Sequence, residues 1–399
     1  MNSGESIPLR PLSLLAWETT RACPLSCRHC RASAVCEREP DELTTEEGKK
    51  LLSEAATLGP HVIVIMSGGE PLLRPDLEEL AAAGTAAGLT VVVSGNDGEM
   101  LTEQRIASLK KAGVRRFSFS IHDESEAAHD AFTGRPGTLA AAIAAFERLK
   151  AAGMGFQINT TVLPHNQDRL DRLFERVQAW GAAAWHLFFT VPTGRALEIG
   201  GSELDPASTE RVLHWIADAE DSGKIPMKVT CAPQYARIRA QRHVTSSHGR
   251  SPDQQSGHES VQPMSEAKPP MVHPQGHPHT RGRGCMAGDG FTFVSSTGDV
   301  KPCGYFDLIA GNVRQTPFNE IYRSSPLLAK VRDIEHLTGP CGSCGFRSCC
   351  GGCRARAFAR TGDPLATDES CALAAGAVSR DKPAEIGFTT SQGSKEGKH

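Results

Sequence analysis

The 399-residue chain has no stretch of about 18 consecutive apolar residues, so no membrane span is expected. It has no excess of either charge. Its 43 Lys and Arg stand against 46 Asp and Glu, a net −3, which excludes a generally basic nucleic-acid coat. The opening residues, MNSGESIPLRPLSLLAWE, lack a basic head followed by a long apolar run and do not read as a secretory signal. A cytoplasmic location is expected on that ground. In a reducing compartment, clustered cysteines read as metal ligands or catalytic thiols before they read as disulfides. There are 13 of them, an odd number for a closed disulfide set. The 39% apolar content supplies a core, and the length suggests two or three domains.

Short, nearly apolar runs recur at 12–18, 61–66, 89–94, 115–121, 155–162 and 184–191, as expected of strands buried on both faces. Helical stretches separate them. The first opens with Thr44 and carries Glu47 three positions on, a capping-box pattern. A further helix over 206–221 and a strand over 226–230 extend the series. Repeated βα units imply an α/β fold with a parallel sheet and right-handed crossovers, either open or a closed or partly closed barrel. This first domain is expected over 10–235. Residues 242–280 are polar, rich in Pro, Gly and Ser, and carry six histidines; they read as a disordered insertion. A small cysteine-rich region spans 281–375, followed by a flexible tail over 376–399.

Cys23, Cys27 and Cys30 stand as C-x3-C-x2-C just after the first strand. Thiolates suit both zinc and iron–sulfur clusters. Three of them on one loop can hold three irons of a cubane and leave the fourth open. Cys36 could complete a zinc site, but reads as a free thiol. Ser67-Gly68-Gly69-Glu70-Pro71 directly follows the second strand. Its glycines permit close backbone approach to a ligand, and Glu70 would offer a carboxylate to a cationic group.

CPLSCRHC followed by SGGEP resembles the radical S-adenosylmethionine (SAM) enzymes. The resemblance implies a partial (β/α)6 barrel and a [4Fe–4S] cluster held by Cys23, Cys27 and Cys30. It also implies that S-adenosylmethionine chelates the open iron and is cleaved reductively to a 5′-deoxyadenosyl radical, which abstracts hydrogen from the substrate. Gly68, Gly69 and Glu70 would seat the methionine moiety. Ser94, Asn96 and Ser120 fall at strand ends where the family contacts the ribose or the carboxylate, and His29 falls where an aromatic side chain lies near the adenine. A ferredoxin or flavodoxin would be the electron donor.

The second cysteine set resembles the SPASM extension of these enzymes. Cys285 and Cys303 flank a glycine, and Cys341, Cys344, Cys350, Cys353 and Cys371 follow. By that resemblance, Cys341, Cys344, Cys350 and Cys371 would hold one auxiliary cluster, while Cys285, Cys303 and Cys353 hold part of another. Seven cysteines fall one short of two fully thiolate-ligated cubanes, which leaves one or two auxiliary clusters open. The CGGC run departs from the usual spacing, so Cys349 competes with Cys350. Arg281, Arg283, Arg354 and Arg356 would neutralise cluster charge, grip substrate carboxylates or only solubilise the surface. His122, Asp123, His129, Tyr305 and Cys231 are noted without a role. TTRACPLSCRHCRASA, WHLFFTVPTGRA and CGGCRARAFARTGD together resemble the alternative haem and haem d1 branch, which implies a tetrapyrrole substrate. A peptide maturase is the second reading. A non-catalytic iron–sulfur carrier or zinc module is the third.

Overall fold

The computed structural model describes residues 9–199, 201–248 and 284–376, the side chains of 243–248 excepted. Its first part alternates strand and helix: β1 (Leu14–Thr20), α1 (Thr45–Ala56), β2 (Ile63–Gly68), α2 (Leu77–Ala86), β3 (Thr90–Ser94), α3 (Glu103–Lys111) and β4 (Arg116–Ser120). Two helices, α4 (Glu126–Thr133) and α5 (Thr138–Ala151), precede β5 (Gly155–Val162). Then come α6 (Leu170–Ala179), β6 (Ala184–Phe189), α7 (Pro206–Asp221), β7 (Met227–Thr230) and α8 (Gln234–His248). The strands β1 to β7 lie side by side in chain order, and each pair is parallel. The expected α/β architecture is therefore present.

Local chemistry explains the elements. The Thr44 hydroxyl accepts from the Glu47 N–H while the Glu47 carboxylate accepts from the Thr44 N–H, which closes the capping box of α1. Leu51, Leu52 and Ala55 then face the sheet, against Trp17 and Val64 in one continuous core. In the same core, Phe146 of α5 stacks on Phe156 of β5 at 4.4 Å between ring centroids. Burial on both faces, expected from the apolar runs, is not what the strands show: residues alternate, with Val64 and Met66 of β2 and Val91 and Val93 of β3 buried under the helices while Ile63 and Thr90 are exposed.

Two further features differ from expectation. The cysteine-rich region is not a separate appendage. Its strand β8 (Phe291–Val294) runs parallel to β1, with Leu14 opposite Phe291 and Trp17 opposite Val294. An antiparallel pair, β9 (Asp299–Lys301) and β10 (Gly311–Asn312), extends the same sheet to ten strands. The edge of β1 that a closing barrel would pair with its last strand is occupied by this module. The helices α9 (Phe318–Ser324), α10 (Pro326–Arg332), α11 (Gly339–Gly342) and α12 (Arg354–Thr361) complete it.

The polar insertion expected from residue 242 is the second difference, because α8 continues to His248. Basic residues along α8 meet acids on α7. Arg239 pairs with Asp221 at 2.6 Å, Arg242 with Asp218 at 2.6 Å, and Arg237 with buried Glu210. The remainder of that insertion, Arg281, Arg283 and the tail from 377 lie outside the described residues.

Candidate functional site

The loop after β1 carries the first cysteine trio. Cys23 is buried, Cys27 and Cys30 are half-buried, and none is in a disulfide. Burial, together with negative charge on neighbouring members of the trio, pushes the Cys23 and Cys27 thiols up to about 12. Such thiols become thiolates only against strong positive charge, which metal provides.

Neighbouring elements fix this loop through its backbone. Ser26 and Arg28 donate to the carbonyls of Thr133 and Phe132 at 3.0 and 3.1 Å, which ties the loop to the end of α4. Arg195, after β6, donates through its backbone to the Cys30 carbonyl at 3.0 Å. Its guanidinium donates to the carbonyls of Cys27 and Ala34 at 3.0 and 3.1 Å. Gly194 has φ +56°, and a Cβ there would stand 2.4 Å from the Arg31 carbonyl oxygen and 2.5 Å from that of Cys30. The loop thus lies directly on the TGRA turn, and sequence reasoning assigned that turn no role.

The SGGEP turn is laced to the same loop. Gly69 donates to the Thr20 carbonyl at 2.8 Å and Glu70 to the Ala22 carbonyl at 2.6 Å. A Cβ on Gly69 would fall 2.2 Å from the Ala22 oxygen, and one on Gly68, at φ +132°, 2.2 Å from the Thr20 oxygen. Glu70 is fully buried. Burial raises its carboxyl, opposed by three backbone donors: Leu72 at 3.1 Å, Asn96 at 2.7 Å and Asp97 at 2.8 Å. The Asn96 side-chain oxygen in turn accepts from the Ser120 N–H at 2.7 Å. Glu70, Asn96 and Ser120 therefore form one hydrogen-bonded string across the C-terminal ends of β2, β3 and β4. Ser94 lies on β3 opposite Ser118. Three backbone donors take three of the four acceptor positions of the Glu70 carboxylate, so the side chain joins two turns.

His29 packs edge-on to His122 at 4.4 Å and stacks on Phe132 at 4.8 Å. His129 stacks on His122 at 6.0 Å. Burial drives the His29 and His129 rings down to about 4 and His122 well below its usual range. These rings are neutral, and His29 Nδ1 and His122 Nε2 are buried without a hydrogen-bond partner. The trio of cysteines is thus walled by an uncharged aromatic patch, to which His122 and His129 contribute.

The second cysteine set divides in two. Cys341, Cys344, Cys350 and Cys371 line one cavity of about 220 Å³, with Gln234 and Arg237 of α8 on its wall. Cys349 does not line it; its thiol donates to the Phe346 carbonyl at 3.4 Å. Gly351 and Gly352 have φ +68° and +64°. Two left-handed residues in succession reverse the chain between Cys350 and Cys353, so the short CGGC spacing sends its two thiols to different places. Cys303 and Cys353 belong to a separate apolar cluster, against which Cys285 packs.

Arg354 and Arg356 are buried ties. Arg354 donates to the carbonyls of Pro364 and Ala366 at 2.9 and 2.7 Å. Arg356 donates to those of Thr190 and Cys231 at 2.8 and 2.9 Å and pairs with buried Asp368 at 3.3 Å. Neither guanidinium is available to grip a substrate carboxylate. Among the described residues, no three His, Cys, Asp or Glu side chains converge closely enough to hold a single ion. A tetrahedral zinc site needs such convergence, whereas a cubane spreads its thiolates around a larger body. Buried soft donors in this arrangement fit iron–sulfur clusters.

Comparison with known proteins agrees with this geometry. Residues 17–177 match the radical SAM superfamily and residues 285–345 the SPASM iron–sulfur cluster-binding domain. The chain is 42% identical over 358 residues to the AdoMet-dependent heme synthase of Methanosarcina barkeri, covering 90% of this chain and 95% of that protein. It is 30% identical over 377 residues to the PqqA peptide cyclase of Gluconobacter oxydans, covering 92% of each. The fold resembles that of Streptococcus suis SuiB bound to S-adenosylmethionine, with a TM-score of 0.64 at 16% identity, covering 92% of this chain and 77% of SuiB. The cofactors are accordingly a [4Fe–4S] cluster, S-adenosylmethionine and auxiliary iron–sulfur clusters. The chain belongs to the radical SAM superfamily of enzymes, carries a C-terminal SPASM domain, and falls in the branch that contains the AdoMet-dependent heme synthases.

Proposed function

We propose that this enzyme acts on the propionate side chains of a haem-like tetrapyrrole during cofactor maturation. The observation that carries this reading is the 42% identity extending over 95% of a protein named for heme synthesis. Cys23, Cys27 and Cys30 would hold the first cluster, fixed by Arg195. The backbone of Gly68 to Glu70, with Ser94, Asn96 and Ser120, would seat S-adenosylmethionine beside it, and the His29 patch would exclude water from the adenosyl moiety. The bound cluster supplies the electron that splits the sulfonium.

Removing one hydrogen atom and then carbon dioxide from a propionate leaves a vinyl group and one electron to be carried away. The auxiliary clusters are suited to carry it. A ferredoxin or flavodoxin in the cytoplasm would reduce the first cluster. Among the described residues, no helix is long and apolar enough to cross a membrane.

Similarity to a peptide cyclase over 92% of the chain favours peptide modification as the second reading. Anaerobically reconstituted protein, given reductant, S-adenosylmethionine and a propionate-bearing iron porphyrin, separates the two. The first reading expects 5′-deoxyadenosine and a porphyrin lighter by carbon dioxide and two hydrogens per reacting side chain. Formation of 5′-deoxyadenosine with the porphyrin unchanged contradicts it. Cys27→Ala should abolish both products.

A further inference from the structure

The C-terminal module contains eight cysteines; four of them surround one cavity, and Cys349 is not among those four. Cys285, Cys303 and Cys353 are left for the second auxiliary cluster, one thiolate short of a filled cubane. A further thiol stands beside them from outside the module. Cys231 lies one residue beyond the end of β7, in the radical SAM domain. Its side chain is hydrogen-bonded to that of Cys353 and is near enough to Cys303 for their charges to interact. Cys231 and Cys285 both pack against the buried apolar cluster that contains Cys303 and Cys353. Four thiols from four separate stretches of chain thus pack at one apolar cluster.

The backbone holds Cys231 there at a cost. Its φ is +64°, and among the described residues only Ser33 is another non-glycine at positive φ. That conformation strains a residue that carries a side chain and does not strain glycine. Arg356 maintains it by donating to the Cys231 carbonyl at 2.9 Å while anchored on Asp368 and Thr190. The remaining cysteines are accounted for elsewhere: Cys36 is exposed, and the Cys349 thiol donates to Phe346.

We infer that Cys231 is the fourth thiolate ligand of the auxiliary cluster held by Cys285, Cys303 and Cys353, so that this cluster has no open iron. The inference rests on the presence of auxiliary clusters in the module and not on the tetrapyrrole reading. A cubane with four thiolates can gain or pass on an electron, but it cannot ligate substrate without losing a protein ligand. The CGGC turn and Arg356 then couple both auxiliary sites to the end of the barrel sheet.

The test uses the full chain, reconstituted anaerobically and reduced with S-adenosylmethionine in excess. Carbon-13 cyanide is the probe, read by electron–nuclear double resonance. In the wild type, the proposal expects no carbon-13 coupling on an auxiliary cluster, because each iron already has its ligand. Coupling there in the wild type overturns the proposal without any variant. Cys231→Gly removes the thiol while relieving the positive φ. The proposal expects this variant, without clusters, to unfold no earlier than the wild type. With clusters, it should either acquire the cyanide coupling or lose about four irons per chain. A Cys231→Gly protein with the wild-type spectrum and iron content overturns the proposal. Zinc in place of auxiliary iron in the wild type overturns the cluster assignment beneath it.

Discussion

Arg31, the residue after the third cysteine of the N-terminal trio, donates to the carbonyl of Gly304, the residue after Cys303, at 3.3 Å. The same guanidinium pairs with Glu18 on β1 at 2.9 Å and lies 4.5 Å over the Phe293 ring of β8. One cation therefore fastens the first cluster loop to the auxiliary module and stands between the two. Glu18 is 4% exposed, so it depends on this partner.

Arg31→Met should destabilise the protein by about 2–4 kcal/mol, because it leaves the Glu18 carboxylate buried without its cation. Adding Glu18→Gln should recover part of that loss. Chemical denaturation of the four proteins in the double-mutant cycle measures it. Additive effects would show that the pair is not coupled.

Arg195 is a positioning residue for the trio. Arg195→Met removes two charge-assisted bonds to loop carbonyls, each worth about 1.5–3 kcal/mol. The expected outcome is faster loss of the first cluster under a chelator, at least tenfold, with the auxiliary clusters retained. Arg195→Lys should restore only part, because an ammonium cannot span both carbonyls. The rate of decay of the signal that responds to S-adenosylmethionine reads the effect.

Cys349 and Cys350 should behave differently. Cys350→Ser should lose about four irons per chain or shift the potential of the cluster in the cavity lined by Cys341, Cys344 and Cys371. Cys349→Ser should keep both iron and potential, since its thiol bonds to Phe346. Equal losses in the two variants would show that the ligands interchange.

Buried neutral histidines make stability depend on pH. Burial holds His129 down to about 4, against 6.5 for an exposed ring. Between those values the unfolded chain binds more protons than the folded one. This contribution is therefore full above pH 6.5 and is lost as pH falls toward 4, by roughly 3 kcal/mol for the single ring. The denaturation midpoint of the protein without clusters should fall over that window. His129→Gln, which retains an acceptor for the His122 N–H, should flatten the fall.

Much of this was legible in the sequence. The βα period marked the strands because each is a short apolar run, and β5 falls over 155–162 as expected. The cysteine spacings and SGGEP marked the sites. What escaped are contacts between distant segments. FTFV is too short to declare itself a strand, and only its pairing with β1 makes it one. The polar start of the insertion continues α8, where Arg242 meets Asp218 of α7. The weight on Gly194 and Arg195 comes from a loop more than 150 residues earlier in the chain. The choice between Cys349 and Cys350 depends on two glycines turning left-handed. None of these has a local period or a fixed spacing.

On the reading proposed above, Cys23, Cys27 and Cys30 hold a cubane with one iron left for S-adenosylmethionine. The direct measurement is electron–nuclear double resonance of the reduced enzyme with S-adenosylmethionine labelled with nitrogen-15 at its amino group and oxygen-17 at its carboxylate. Hyperfine coupling from both labels is expected in the wild type and is expected to be absent in Cys27→Ala. A reduced cluster whose spectrum is unchanged by the labelled compound would contradict that reading.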